Sequence, residues 1–238
     1  MIIGLSGKAQ VGKDTVCMIM QLLYPNDRIA TEVDDIDAYA SFPSFFQQSF
    51  KFISKYKNKK FAFKVKEVAS LLTGIATLQF EDEEFKNSPL GDEWKVKRLP
   101  DLLKGPRGSD AHYEYFYSPL TVRELLQRIG TEAMRKGVHE DVWVNSLIAE
   151  YKHNNLFQDH FVISDVRFPN EVAAIKKEGG LVIRINRPSL KEKMYSTHES
   201  EIALDNYKDW DYVIDNLDGI PELIVKVREM MEKLNLPR

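Results

Sequence analysis

Cysteine is almost missing from this 238-residue chain: Cys17 stands alone, so no disulfide can close within it. That favours an intracellular setting, and Cys17 itself is expected to be a small buried apolar residue. Long hydrophobic runs are missing too. No stretch approaches the roughly 18 apolar residues of a membrane span. The opening MIIGLSGKAQ has neither the charged start nor the long apolar run of a secretory leader. These absences point to the cytoplasm, with no membrane engagement. An excess of positive charge is likewise absent: 33 Lys and Arg face 36 Asp and Glu, a formal net charge of −3. A protein that binds nucleic acid over its whole surface is usually basic, so no direct nucleic-acid partner is expected. There is no internal repeat and no low-complexity tail.

What is present is a succession of short apolar runs separated by helical patterns. Met1–Ser6, Phe161–Asp165, Leu181–Ile185 and Tyr212–Asp215 read as strands, and Lys59–Phe63 as a further one. Helices are predicted over Lys13–Leu23, Lys64–Leu72, Pro169–Glu178 and Ile220–Leu234. Thr121-Val-Arg-Glu124 spells a capping box opening a helix that buries Val122, Leu125, Leu126 and Ile129. Asp141 is placed to cap a helix running through Trp143, Leu147 and Ile148. The fold class is α/β: a P-loop NTPase-type three-layer fold, with a mostly parallel five-stranded sheet and helices on both faces. Residues 1–238 form one domain carrying an insertion over about residues 30–118, which includes the aromatic-rich Asp34–Tyr56 and the polar, Pro- and Gly-punctuated Glu81–Tyr117. Asp34–Tyr56 is expected to be a helical hairpin or lid with its aromatics turned inward.

In a parallel sheet of this kind ligands sit at the carboxyl ends of the strands, and the informative residues follow the apolar runs. Gly7-Lys8-Ala9-Gln10-Val11-Gly12-Lys13-Asp14-Thr15 fits a phosphate loop between a strand and a helix. Gly7 and Gly12 let the backbone wrap around phosphate oxygens so that successive N–H groups converge on them. The helix start adds positive potential, and Lys13 supplies a mobile charge for the β- and γ-phosphates of ATP. Asp14 stands where a Ser or Thr hydroxyl usually follows the lysine. Mg²⁺ is therefore expected to be held mainly by ATP oxygens and water, with Thr15 and Asp165 as water-mediated contacts.

Phe161-Val-Ile-Ser-Asp165 is an apolar strand ending in a carboxylate, which can orient an acceptor or a metal-bound water; the alternative is a cap for the helix near Pro169. Arg167 and Glu171 follow at the crevice rim. Lys66, Arg123, Arg128, Arg135, Arg184 and Arg187 are candidates for stabilising charge on a transferring phosphoryl group. Arg184 and Arg187 open a polar stretch suited to a lid, about residues 187–201, that excludes water. His198 begins a helix-start cluster rather than a metal site, no second His lying at ligand spacing. Asn216, after the last strand, either contacts adenine or makes a simple turn.

These residues describe an ATP-dependent kinase with small nucleotide substrates. Three rivals remain at this stage: a small-metabolite kinase of the dephospho-coenzyme A kinase type, a non-catalytic nucleotide-binding protein, and a DNA-dependent ATPase. The motifs GKAQVGKDT, FAFKVKEVA, FKNSPLGDEW, TVRELLQRIGTE, VWVNSL, ISDVRFPNE, IRINRP, THESE and YVIDN together resemble the deoxynucleoside monophosphate kinases of tailed bacteriophages. The pair LLQRIGTE and ISDVRFPNE is the most specific part of that likeness. The resemblance implies transfer of the ATP γ-phosphate to a dNMP. It also implies an acceptor site lined by Val65, Lys66, Arg123, Gln127, Gly130, Thr131, Trp143, Asp165, Arg167 and Glu171, with Trp143 a stacking surface for the base. Gly12, Lys13, Asp14 and Thr15 would hold the ATP phosphates. Related enzymes can carry basic residues nearer the middle of the loop, so Lys8 would act from a shifted position. A homodimer is a further expectation from this likeness.

Overall fold

The computed structural model describes residues 1–23, 54–98, 116–154, 159–188, 202–217 and 219–237. Residues 34–53 of the expected hairpin at Asp34–Tyr56, nearly all of the lid with His198, and residues 99–115 lie outside these; the last residue of that stretch, Tyr56, opens a strand instead. The chain divides into two units, Met1–Ala62 with Val144–Arg238, and Phe63–Trp143.

The first unit is built on a five-stranded sheet. Its strands are β1 (Ile2–Ser6), β2 (Tyr56–Lys59), β5 (His160–Val166), β6 (Leu181–Asn186) and β7 (Tyr212–Asp215). Their order is β2-β5-β1-β6-β7, and every neighbouring pair is parallel. Helices α1 (Lys13–Leu23), α6 (Pro169–Lys177) and α7 (Ile220–Lys233) lie wholly within this unit. Alternation along the strands sorts the apolar side chains into two cores, since successive residues of a strand face opposite sides. Ile3, Leu5, Val162, Ile183, Ile185 and Ile214 pack with Val16, Ile19 and Met20 of α1 and Leu223, Val227 and Met230 of α7. Ile2, Phe161, Ile163 and Val182 pack with Val172 and Ile175 of α6 and with Val144 and Leu147. Each such buried side chain contributes about 1.5–3 kcal/mol. Because both faces are covered, the strands read as nearly unbroken apolar runs. Cys17 is buried in the first of these cores, as expected.

Lys59–Phe63 is not a strand. Strand β2 ends at Lys59, and Phe61 opens α2 (Phe61–Thr73). The apolar Phe-Ala-Phe is compatible with either element; what settles it is Asp165, whose two carboxylate oxygens each accept an amide, from Phe61 N and Ala62 N, both at 2.9 Å. A distant strand thus supplies the acceptors that the first turn of α2 lacks within itself.

The second unit contains most of α2, then α3 (Glu83–Asn87), the antiparallel pair β3 (Lys95–Arg98) and β4 (Phe116–Pro119), and α4 (Val122–Gln127). A π-helical segment follows over Arg128–Arg135, and α5 (Val142–Asn154) begins immediately after Asp141. The capping box is formed as predicted: Glu124 N donates to Thr121 Oγ1 at 3.2 Å, and Thr121 N donates to Glu124 Oε2 at 2.8 Å. Val122, Leu125 and Ile129 are buried with Ala69, Phe80 and Trp143, and Leu126 is partly buried against them.

Candidate functional site

The phosphate loop leaves the carboxyl end of β1, the central strand. Its backbone takes unusual angles at three places: φ is 155° at Gly7, 62° at Gln10 and 101° at Gly12. Gly7 and Gly12 fall in a region that side chains rarely adopt. A Cβ on Gly7 would also run into the backbone oxygen of Ile185. Val11, buried between the two glycines, anchors the loop in the core. Val16 N donates to Gly12 O at 2.9 Å, opening the helical ladder of α1. Lys13 folds back over the loop, its Nζ donating to Gly7 O at 2.8 Å and Lys8 O at 2.7 Å.

Asp14, at the position usually held by a hydroxyl residue, lies beside one. The Ser164 hydroxyl on β5 is 2.7 Å from Asp14 Oδ1 and 3.1 Å from Asn58 Oδ1. Its proton goes to the nearer, charged oxygen. Lys60 Nζ reaches Asp14 Oδ1 at 3.0 Å and Oδ2 at 3.1 Å. Burial acts to raise the Asp14 carboxyl, but the bonds from Ser164 and Lys60 and the charges of Lys60 and Lys13 outweigh it, leaving the group below the usual carboxylate range. Thr15 is half-buried one residue on.

Asp165 is not the cap of the helix near Pro169; it caps α2. Burial pushes its carboxyl up, while the Ala62 and Phe61 amides and the charges of Lys60 and Arg167 pull it back. A carboxylate has about four lone-pair positions, so these two amide bonds leave acceptor capacity. Glu171 takes the cap of α6 instead: its buried Oε2 accepts from Arg167 N at 2.7 Å and Phe168 N at 3.0 Å. Arg167 is half-buried at the end of β5.

Lys8 and Arg184 meet at one carboxylate. Lys8 Nζ lies 2.6 Å from Asp205, and Arg184 reaches the same group at 3.6 Å. Arg184 also lies over the Trp210 ring, its guanidinium carbon 5.5 Å from the ring centre. Arg187 is exposed just beyond β6. Asn216 is buried, and its Nδ2 donates to Val11 O of the phosphate loop at 2.9 Å.

In the second unit, Lys66 is largely buried and paired with Glu81. The exposed Arg123 bonds Asn87 Oδ1 at 3.1 Å and pairs with Glu83. Gln127 and Thr131 are exposed, and Val65 and Gly130 half-buried. Trp143 is 4% exposed, its indole packed in the apolar core and donating to Gly130 O at 2.9 Å. The indole face is thus used by the core of this unit, where a stacking surface had been expected.

Four contributors were missed at the level of sequence: Asn58, Lys60, Ser164 and Asp205. Ser164 and Lys60 carried a signal, since each sits at the carboxyl end of a strand beside the expected crevice. Asp205 carried none, because only the tertiary fold brings it to Lys8, 197 residues away in the chain.

A family model described as deoxynucleotide monophosphate kinase matches residues 1–227. The deoxynucleoside-5'-monophosphate kinase of Escherichia phage T5 is 27% identical over 241 aligned positions, covering 95% of this chain and 94% of that protein. A putative deoxynucleotide monophosphate kinase of Acanthamoeba polyphaga mimivirus is 34% identical over 116 residues, 45% of this chain and 59% of that protein. The deoxynucleotide monophosphate kinase of Enterobacteria phage T4 is 30% identical over 116 residues, 48% of this chain and 46% of that protein. The match therefore spans only about half of the mimivirus and T4 relatives but nearly all of the T5 one. With a loop built for phosphate at the centre of a parallel sheet and a family match running through both units, the chain belongs to the deoxynucleotide monophosphate kinase family.

Proposed function

We propose that this member of the deoxynucleotide monophosphate kinase family transfers the γ-phosphate of ATP to a deoxynucleoside monophosphate, giving ADP and the deoxynucleoside diphosphate. The observation that carries the reading is Lys13, held by Gly7 O and Lys8 O across a loop whose two glycines take positive φ at the end of the central strand. An acceptor phosphate oxygen attacks the γ-phosphorus, the bond to the β-phosphate oxygen breaks, and ADP leaves. No covalent enzyme intermediate is needed. Catalysis then consists of positioning and charge stabilisation.

Loop amides from Gly7 to Thr15 cradle the triphosphate, and Lys13 exchanges its carbonyl partners for β- and γ-oxygens. Arg184 and the exposed Arg187 add positive charge at the lid side, and Asn216 belongs to the ATP side of the site. Among the described residues no group of three His, Cys, Asp or Glu could hold a metal by itself. Mg²⁺ usually keeps its waters and substrate oxygens and takes only one or two protein ligands; Thr15 and Asp165, whose carboxylate keeps lone pairs beyond its two amide bonds, would reach it through water. When bound, Mg²⁺ neutralises charge on the β- and γ-phosphates. On the acceptor side, Lys66 and Arg123 exchange Glu81 and Glu83 for the phosphate of the monophosphate. Within the second unit, Val65, Gln127, Gly130, Thr131 and Trp143 are the further residues proposed for the acceptor nucleotide; within the first, Asp165, Arg167 and Glu171 are proposed for acceptor binding, with Lys8 contributing charge from the loop.

Free nucleotides, rather than nucleic acid, are the partners in this reading, which the net charge of −3 supports. No described helix is long and apolar enough to cross a membrane. We place the reaction in the cytoplasm, that of the host if the chain is phage-encoded, and we propose a homodimer, which sedimentation would test. The decisive test is ADP release measured across the common dNMPs and NMPs, with dephospho-coenzyme A as a control acceptor. Turnover on dNMPs is expected. Turnover on the control alone, or tight ATP binding with none on any acceptor, would overturn the reading. Lys13→Ala should cut turnover by at least ~10²–10³-fold with the far-UV spectrum unchanged.

A further inference from the structure

Asn216 leaves β7 with its backbone in the ladder: its N–H donates to Asn186 O at 2.8 Å, continuing the β6–β7 register. That fixes the side chain at the carboxyl edge of the sheet, where it is buried. Its Nδ2 donates to Val11 O at 2.9 Å. The carbonyl of Val11 and the N–H of Gly12 belong to one peptide unit. In a trans peptide the two point in opposite directions, and no peptide bond among the described residues is cis. Holding the Val11 carbonyl toward Asn216 therefore aims the Gly12 N–H the other way.

The loop needs such a hold. Gln10 and Gly12, on either side of Val11, both have positive φ, at 62° and 101°. Backbone in sparsely populated angles persists only where its surroundings fix it. The side chain of Val11 is fixed by the core, and its carbonyl by Asn216. The same amide fills the space beside Gly12, where an added Cβ would lie 2.9 Å from Nδ2.

We propose that Asn216 is a positioning residue of the phosphate loop: it orients the Gly12 amide toward the polyphosphate of the nucleotide and does not touch the base. The inference rests on the reading that this loop binds ATP through its phosphates. Anion-binding loops act through amides already aligned on the ligand, and the 11–12 peptide is aligned from the residue that follows the edge strand β7.

The experiment compares ATP with inorganic tripolyphosphate, which has no base, by calorimetric titration of the whole protein and its Asn216→Ala variant. Both ligands should weaken by a similar factor, up to about tenfold for one lost hydrogen bond. KM for ATP should rise and kcat fall, while KM for the acceptor stays put. Weakened ATP with unchanged tripolyphosphate would overturn the proposal in favour of a base contact. Unchanged affinity for both, with only a lowered melting temperature, would reduce Asn216 to a structural brace. Asn216→Asp keeps the shape but sets a carboxylate oxygen against the Val11 carbonyl; it should weaken tripolyphosphate at least as much, and serves if the alanine variant does not fold. Tripolyphosphate binding that is absent from the unaltered protein would instead sink the reading of the loop itself.

Discussion

At the scale of single residues, the polar groups around the phosphate loop are paired with one another. Lys13 is bonded to loop carbonyls, Lys8 to Asp205, and Asp14 to Ser164 and Lys60. In the proposed reaction, nucleotide binding is an exchange of these partners, which keeps polar groups satisfied. Asp165 illustrates how position can outweigh residue type. Its sequence position offered a cap for the helix near Pro169, yet both of its oxygens receive amides from the first turn of α2. Asp165→Ala is accordingly expected to destabilise the fold by about 1–2 kcal/mol, the usual loss for a helix cap, measured by chemical denaturation. Asp165→Asn keeps one acceptor and should cost less. If both variants match the wild type in stability, the capping role is wrong.

At the scale of elements, α4 shows local chemistry writing its own boundary. Thr121 and Glu124 exchange backbone and side-chain bonds within four residues, and Arg98 from β3 grips the same glutamate at 2.6 and 2.8 Å. The Arg98 bonds, with help from the Thr121 amide, hold the Glu124 carboxyl at about 2 against an ordinary value of 4.5. A carboxylate with a depressed folded-state pKa stabilises the protein above its unfolded value, and that benefit fades as pH falls through the folded one. The stability difference between wild type and Glu124→Gln should thus be full above pH ~5 and shrink between 4.5 and about 2. A difference that stays constant over that range would contradict the pairing. The capping box was legible in the sequence because all its atoms come from neighbouring residues. The start of α2 was not, because its cap comes from a strand about a hundred residues later. The same apolar triplet, Phe61-Ala-Phe63, suits a strand or a helix until that carboxylate is in place.

At the scale of the whole molecule, the candidate residues are found in each of the two units. The phosphate loop, Asp165, Arg167, Glu171 and Asn216 belong to the first; Val65, Lys66, Arg123, Gln127, Gly130, Thr131 and Trp143 belong to the second. ATP alone should therefore protect the first unit most. At about 100 times its Kd a ligand adds ~2.7 kcal/mol to the state that binds it. Amide exchange should slow in β1, α1 and β5 more than in the β3–β4 pair; equal slowing everywhere, or none, would count against binding at the loop. The sequence by itself determined the α/β class, most strand and helix positions, the phosphate loop and the family likeness. Each is written by periodicity or by contiguous motifs, and such signals survive without knowledge of the fold. Only the tertiary structure decided that Asp165 caps α2, that Trp143 is core, that Asp205 holds Lys8, and that Asn216 braces Val11. Each of those depends on a hydrogen bond or packing contact between residues far apart in the chain, and no local pattern encodes which distant partner a polar side chain will meet.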